Sequence, residues 1–176
     1  MEKKVTVSIC GPDLISAYEK QILEEIYENY RKKERIVYTT GYEGKSLEDL
    51  INILTEKGVK FLLDVREQPR SRRKEFSRDN IKETLKKAGI EYVSFKKLGT
   101  PREIRKKLKE NSISFEKFAE EYRNHLANNE NYLLLLKILA SEKTSVIMCY
   151  EADWKKCHRA ILTEALEKDG FKVVHL

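Results

Sequence analysis

The sequence predicts an α/β fold: an open, mostly parallel sheet of about six strands with helices on both faces, a Rossmann-like three-layer sandwich. Three observations lead to it. Strand-like and helix-like patterns alternate along the chain in the order βαβαβαβ(α)nβαβ. Two strands, Lys60 to Val65 and Ser145 to Cys149, are apolar at both parities, as strands covered on both sheet faces are. Right-handed crossovers dominate βαβ units, so repeated strand–helix–strand passages lay the strands side by side and parallel.

Each element follows from its residues. Val5, Val7 and Ile9 alternate with polar neighbours until Cys10-Gly11-Pro12-Asp13 breaks the strand. Leu14, Ile15, Tyr18, Ile22, Ile26 and Tyr30 then recur at helical spacing. Arg35 to Thr39 is a second strand, followed by the tight Gly41-Tyr42-Glu43-Gly44 connection. Ser46 is a natural N-cap with Asp49 three residues on, Leu47, Leu50, Ile51 and Leu54 form the buried stripe, and Gly58 closes the helix. After the strand Lys60 to Val65 comes a long basic loop, Arg66 to Phe76. Ser77 is expected to cap a helix carrying Ile81, Leu85 and Ala88, ended by Gly89, and Glu91 to Phe95 is the next strand. Residues 101 to 140 read as mostly helical, opening at Pro101, with Phe115, Phe118, Ala119, Tyr122 and Leu126 as one apolar stripe. The strand Ser145 to Cys149 leads to a helix that Asp153 can cap, with Ile161, Leu162, Ala165 and Leu166 inward. Gly170 ends it, and Lys172 to His175 is the last strand.

At 176 residues, 40% hydrophobic and 36% charged, the chain suits a single α/β domain over 1–176, with 1–35 as a strand–helix extension ahead of the core. The net charge of +6 favours anionic partners, although lysine-rich solvated faces give the same total. The Glu- and Lys-rich balance, with glutamine only at Gln21 and Gln68, resembles that of heat-adapted proteins, although asparagine is not scarce. Cys10, Cys149 and Cys157 show no paired spacing and no signal peptide is evident, so a reducing cytoplasm is expected. The apolar run Tyr132 to Leu136 falls far short of the roughly 20 residues a membrane span needs, and no membrane partner is expected.

In a parallel sheet, the loops leaving the carboxyl ends of the strands share one rim, where ligands bind. Here they are Thr39 to Gly44, Asp64 to Arg73, Phe95 to Thr100 and Cys149 to Lys156. They hold acids directly after apolar runs, several arginines, a tyrosine and a thiol. The loop from Arg66 to Lys74 carries five basic residues among nine, able to offer guanidinium forks to phosphate or to lie solvated and paired with Glu67 and Glu75.

Tyr38-Thr39-Thr40-Gly41-Tyr42-Glu43-Gly44-Lys45-Ser46, then Leu63-Asp64-Val65-Arg66 with Pro69-Arg70-Ser71-Arg72, then Cys149-Tyr150-Glu151 with Cys157-His158-Arg159, stand in this order. Together they resemble the domain-of-unknown-function 488 family of small prokaryotic proteins over about Ile36 to Leu176. The resemblance implies a fold and a residue set and no particular reaction. It marks Tyr42, Asp64, Arg66, Arg70, Arg72, Cys149, Glu151, Cys157, His158 and Arg159. The string Leu62 to Glu67 also resembles the Asp-Val-Arg-Glu segment of rhodanese-like domains.

Three readings stay open. In the first, the rim binds an anionic, phosphate-bearing small molecule: Tyr42, Arg66, Arg70, Arg72 and Arg159 contact the ligand while Asp64, Glu151 and His158 handle protons. In the second, the basic loop 66–74, extended by Lys96-Lys97 and the Arg102 to Lys109 stretch, contacts nucleic-acid phosphates, with Tyr42, Tyr92 and Trp154 as the few stacking platforms. In the third, Cys149 is the nucleophile of a thiol-dependent transferase. Against it, the loop after Cys149 has no glycine and two acids, Glu151 and Asp153, and Lys155 stands where an anion cradle would end in arginine. Cys157 shares a helical face with Ile161, as a buried structural thiol would. No cofactor is expected, and no metal, because Cys149 and Cys157 stand eight apart without the paired ligands of structural zinc sites.

Overall fold

The computed structural model describes residues 20–22, 24–25 and 35–176. The chain divides into two compact units, Met1–Glu34 and Arg35–Leu176. In the first, residues 20–22 and 24–25 are helical, inside the helix predicted after Leu14, while the strand predicted at Val5 to Ile9 and Cys10 lie outside the described residues.

The second unit runs β1 (Arg35–Gly41), α1 (Leu47–Glu56), β2 (Phe61–Asp64), α2 (Arg78–Lys87), β3 (Glu91–Ser94), α3 (Arg102–Lys109), α4 (Phe115–Ala127), α5 (Glu130–Glu142), β4 (Ser145–Cys149), α6 (Arg159–Glu167) and β5 (Phe171–His175). The strands form one sheet in the order β3-β2-β4-β1-β5, with every pairing parallel. This is the predicted α/β architecture, with five strands among the described residues.

The double-sided apolar strands sit at the centre, and their alternation divides the core. Leu63, Ile147 and Cys149 pack in one cluster with Tyr122 and Leu126 of α4, Leu136 of α5 and Leu162 of α6. Leu62, Val146 and Met148, one residue out of step, pack in the other with Leu50 and Leu54 of α1 and Ile81 and Leu85 of α2. The period of two along a strand thus sends neighbours to opposite helical layers. Among the described residues no helix is long and apolar enough to cross a membrane.

Local signals explain most boundaries. Ser46 and Asp49 form a reciprocal capping box at the start of α1, and Gly58 past its end is left-handed with φ +65°. Three caps differ in detail. Ser77 stands at the N-cap of α2, but its hydroxyl donates to the Lys74 carbonyl left by the short 3₁₀ turn Lys74–Phe76. Asp153 accepts from the Lys155 backbone and caps the 3₁₀ turn Trp154–Lys156 rather than a longer helix. Cys157 is extended there, so α6 begins only at Arg159. Pro101 takes the N-cap place before α3, one residue ahead of the first helical position.

Candidate functional site

Parallel pairing in register sets three chemically distinctive positions at one rim. Gly41 pairs with Cys149 across β1 and β4, and Asp64 pairs with Met148 across β2 and β4. The loops beyond them interlock through their backbones. The Glu43 N–H donates to the Tyr150 carbonyl at 2.9 Å, and the Ala152 N–H donates to the Glu43 carboxylate at 3.0 Å. The approach is close enough that a Cβ on Gly41 would lie 1.8 Å from the Glu151 carbonyl oxygen, and one on Gly99 2.0 Å from the Glu67 nitrogen. Only glycine fits at these two positions, which tie the β1 loop to the β4 loop and the β3 loop to the β2 loop.

A cleft of about 610 Å³ opens between these loops. Tyr42, Arg66, Arg70, Arg72, Cys149, Glu151 and His158 all line it, so seven of the nine residues expected at the site share one cavity. Asp64 and Arg159 do not belong to its wall.

Asp64 is wholly buried behind Arg66. Its carboxylate accepts from the Arg66 backbone at 3.0 Å, from Arg66 Nε at 2.9 Å and Nη2 at 2.6 Å, and from the Tyr92 hydroxyl at 2.6 Å. Arg66 spends its remaining nitrogen, Nη1, on the Tyr42 hydroxyl and the Phe76 carbonyl. Burial opposes the charge on Arg66, but Asp64 and Tyr42 more than restore it and hold the guanidinium above its ordinary value. Tyr92 titrates above its ordinary range, first from burial and then from the Asp64 charge. The pair is a closed knot in which both carboxylate oxygens and all three guanidinium nitrogens have partners within the protein. Arg159, also buried, donates to Cys157 Sγ, to Thr39 and to the Glu151 carbonyl, and so fastens the β4 loop to α6.

On the other sheet face, four side chains converge. Glu151 Oε2 lies 3.0 Å from Cys149 Sγ and 3.1 Å from Cys157 Sγ. His158 Nδ1 lies 3.8 Å from Cys149 Sγ and 3.6 Å from Cys157 Sγ. Its Nε2 meets the Val65 carbonyl at 3.1 Å, and since a carbonyl only accepts, Nε2 carries the hydrogen. The His158 ring also packs edge-on to Tyr122. The two thiols differ. Hydrogen bonding with Cys157, then burial and the Glu151 charge, push the Cys149 thiol well up. Burial pushes Cys157 the same way, but Cys149, His158 and Arg159 outweigh it and hold that thiol well below its usual value. Burial lifts Glu151 above the ordinary carboxylate range, aided by Cys157. The thiol favoured as a thiolate is therefore Cys157, although the chain's pattern marks it as a core residue; its helical spacing from Ile161 shows that it is buried and not what it is buried beside.

The basic loop divides similarly. Arg73 pairs with Glu75, donates to the Lys45 carbonyl at 2.6 Å and lies over the Phe76 ring, which anchors the loop. Arg70 and Arg72 are exposed on the cleft and have no ion-pair or hydrogen-bond partner among the described residues. Arg105 and Lys109 of α3 and Lys156 add further cations, with Arg105 tied to Glu67 at 3.1 Å. Of these, Arg105 and Lys109 lie in the basic stretch recognised from the sequence; Lys156 had no local signal beyond its place in the β4 loop. Lys96 lies on a neighbouring hollow instead. The three aromatic platforms are occupied internally: Tyr42 stacks on Phe76, Tyr92 bonds Asp64, and Trp154 stacks on His175.

The sequence model of one family, the domain of unknown function DUF488, matches residues 46–166. The chain belongs to this family. The match covers more than half of the chain and spans every candidate site residue except Tyr42. No curated protein and no solved structure matches the chain.

Proposed function

We propose that this DUF488 domain binds a small anionic, phosphate-bearing molecule in the rim cleft and presents it to the Cys149–Glu151–Cys157–His158 cluster. One observation carries the reading: Arg70 and Arg72, unpaired among the described residues, line the same cleft as that buried cluster. Arginines serving only loop structure find partners, as Arg73 does with Glu75 and Lys45. Guanidiniums left free on a concave wall are suited to planar oxyanions, which they meet with two parallel hydrogen bonds. The cleft's volume falls within the range of small-ligand sites. In this reading Asp64 and Arg159 are positioning residues: Asp64 orients Arg66, and Arg159 holds the β4 loop. Glu151 and His158 stand where a proton can be exchanged with a ligand.

The test is calorimetric titration with inorganic phosphate and pyrophosphate at low salt, on the full chain and on Arg70→Ala and Arg72→Ala. Each lost charged hydrogen bond contributes about 1.5–3 kcal/mol, so each variant should bind at least tenfold more weakly. Equal affinity in both variants would overturn the reading. A nucleic-acid module would instead prefer long polyanions and lose affinity steeply with added salt.

A further inference from the structure

We infer that Cys149, Cys157 and His158 bind a divalent ion of the zinc class, with its fourth position open. The inference leaves the arginine wall of the anion reading untouched and changes one part of it: with Nδ1 on the ion and Nε2 on the Val65 carbonyl, His158 holds metal and exchanges no proton. The three donor atoms, two Sγ and Nδ1, all lie within 4.8 Å of one another. A tetrahedral ion with bonds of about 2.3 Å to sulfur and about 2.0 Å to nitrogen sets its sulfur and nitrogen ligands about 3.6 Å apart. The structure holds His158 Nδ1 at 3.6 Å from Cys157 Sγ and 3.8 Å from Cys149 Sγ. The Glu151 carboxylate touches both sulfurs, at 3.0 and 3.1 Å, as a hydrogen-bond partner beside the three donors and outside their group.

The surroundings agree with the donors. Metal-bound histidine characteristically donates its other ring N–H to a carbonyl or carboxylate, which fixes the tautomer. His158 Nε2 does so to Val65, leaving the Nδ1 lone pair free to face the sulfurs. The Arg159 backbone N–H and Nε, at 3.5 and 3.4 Å, donate to Cys157 Sγ, as outer partners of a bound thiolate do. Cys149, Cys157 and His158 are 5%, 2% and 5% exposed. An ion bound there takes the place of the thiol protons, and its charge offsets the two thiolates it leaves in so dry a place. Sulfur and imidazole together select zinc or a chemically similar ion over magnesium or calcium. The linear spacing concealed this arrangement because Cys149 ends a strand and Cys157 precedes a helix; the turn Trp154–Lys156 folds them together.

The full chain, stripped with a chelator under reducing conditions, is titrated with Co²⁺ and then Zn²⁺. The expected result is uptake of one Co²⁺ with a thiolate-to-metal charge-transfer band and the intense d–d absorption of a tetrahedral site, displaced by Zn²⁺. Cys149→Ser and Cys157→Ser should each lose about half of the charge-transfer intensity. His158→Ala should weaken binding well beyond the roughly 100-fold that loss of an outer partner brings. The wild-type titration decides without any variant: no charge-transfer band, or the weak spectrum of a six-coordinate oxygen site, overturns the inference. So would an undiminished band in Cys157→Ser, or loss of two free thiols to a disulfide in place of metal uptake.

Discussion

Asp64 and Cys149 end adjacent strands of one sheet, but one belongs to a completed network and the other to an open one. Asp64 points into the α1–α2 layer, where Arg66 and Tyr92 partner both its oxygens and Arg66 is held in turn by Tyr42 and Phe76. Cys149 points into the α4–α6 layer, where Cys157 and His158 bring their donor atoms within 4.8 Å of its sulfur and Glu151 contacts it beside the cleft. Buried charge is therefore not in itself a sign of chemistry. A charge whose partners are complete is scaffold, and one whose neighbours are further donors converging on a point has capacity for a ligand.

The contrast can be broken from either end. The largest effect belongs to the closed network. Arg66→Ala strands the Asp64 carboxylate with no exposure to water, and should destabilise the domain by about 3–5 kcal/mol, read from urea unfolding. A loss below about 1 kcal/mol would mean the knot is not structural. Next comes Gly41→Ala, whose Cβ would strike the Glu151 carbonyl. Its displacement of the β4 loop should lower stability by about 1–3 kcal/mol and weaken phosphate binding with it. Unchanged binding would separate the loop contact from the site. Ser46→Ala, remote from the rim, removes half of a capping box and should lower stability by about 1 kcal/mol with phosphate affinity intact.

The smallest effect concerns His175 at the end of β5. Partial burial, then the nearby Arg159 charge, hold its ring below the ordinary 6.5. The unfolded chain thus binds the proton more readily, so this contribution is complete above 6.5 and fades as pH falls from 6.5 through the depressed folded value. An NMR titration of its ring protons should give a midpoint below 6.5; a midpoint at or above it would remove this source of acid sensitivity.

Much of the fold was legible because its signals are local. The alternation of Leu62 with Leu63 and of Val146 with Ile147 marks strands covered on both faces, and Ser46 with Asp49 marks a helix start, without reference to anything distant. The rim followed from topology, since parallel strands share one carboxyl end. What was not legible is how each polar group is partnered. For Asp64 the sequence left pairing with Arg66 and proton work equally open, because Tyr92, twenty-eight residues on, is out of sight there. Cys157 looked like a core thiol because its helical spacing hides its closeness to Cys149 and Glu151. Gly41 gave no hint of the backbone passing 1.8 Å from where its Cβ would be.

The central claim is that the free arginines and the buried cluster serve one cleft, and the three histidines allow a direct reading of it. His158 sits at the floor, His125 of α4 bonds the Lys97 carbonyl, and His175 stacks on Trp154. Ring-proton NMR spectra are recorded through a phosphate titration at constant pH. If the arginines and the cluster share the cleft, the His158 signals shift saturably, His125 stays still, and Arg72→Ala moves the His158 midpoint at least tenfold higher. Phosphate binding that leaves His158 unmoved, or moves all three rings alike, would contradict it.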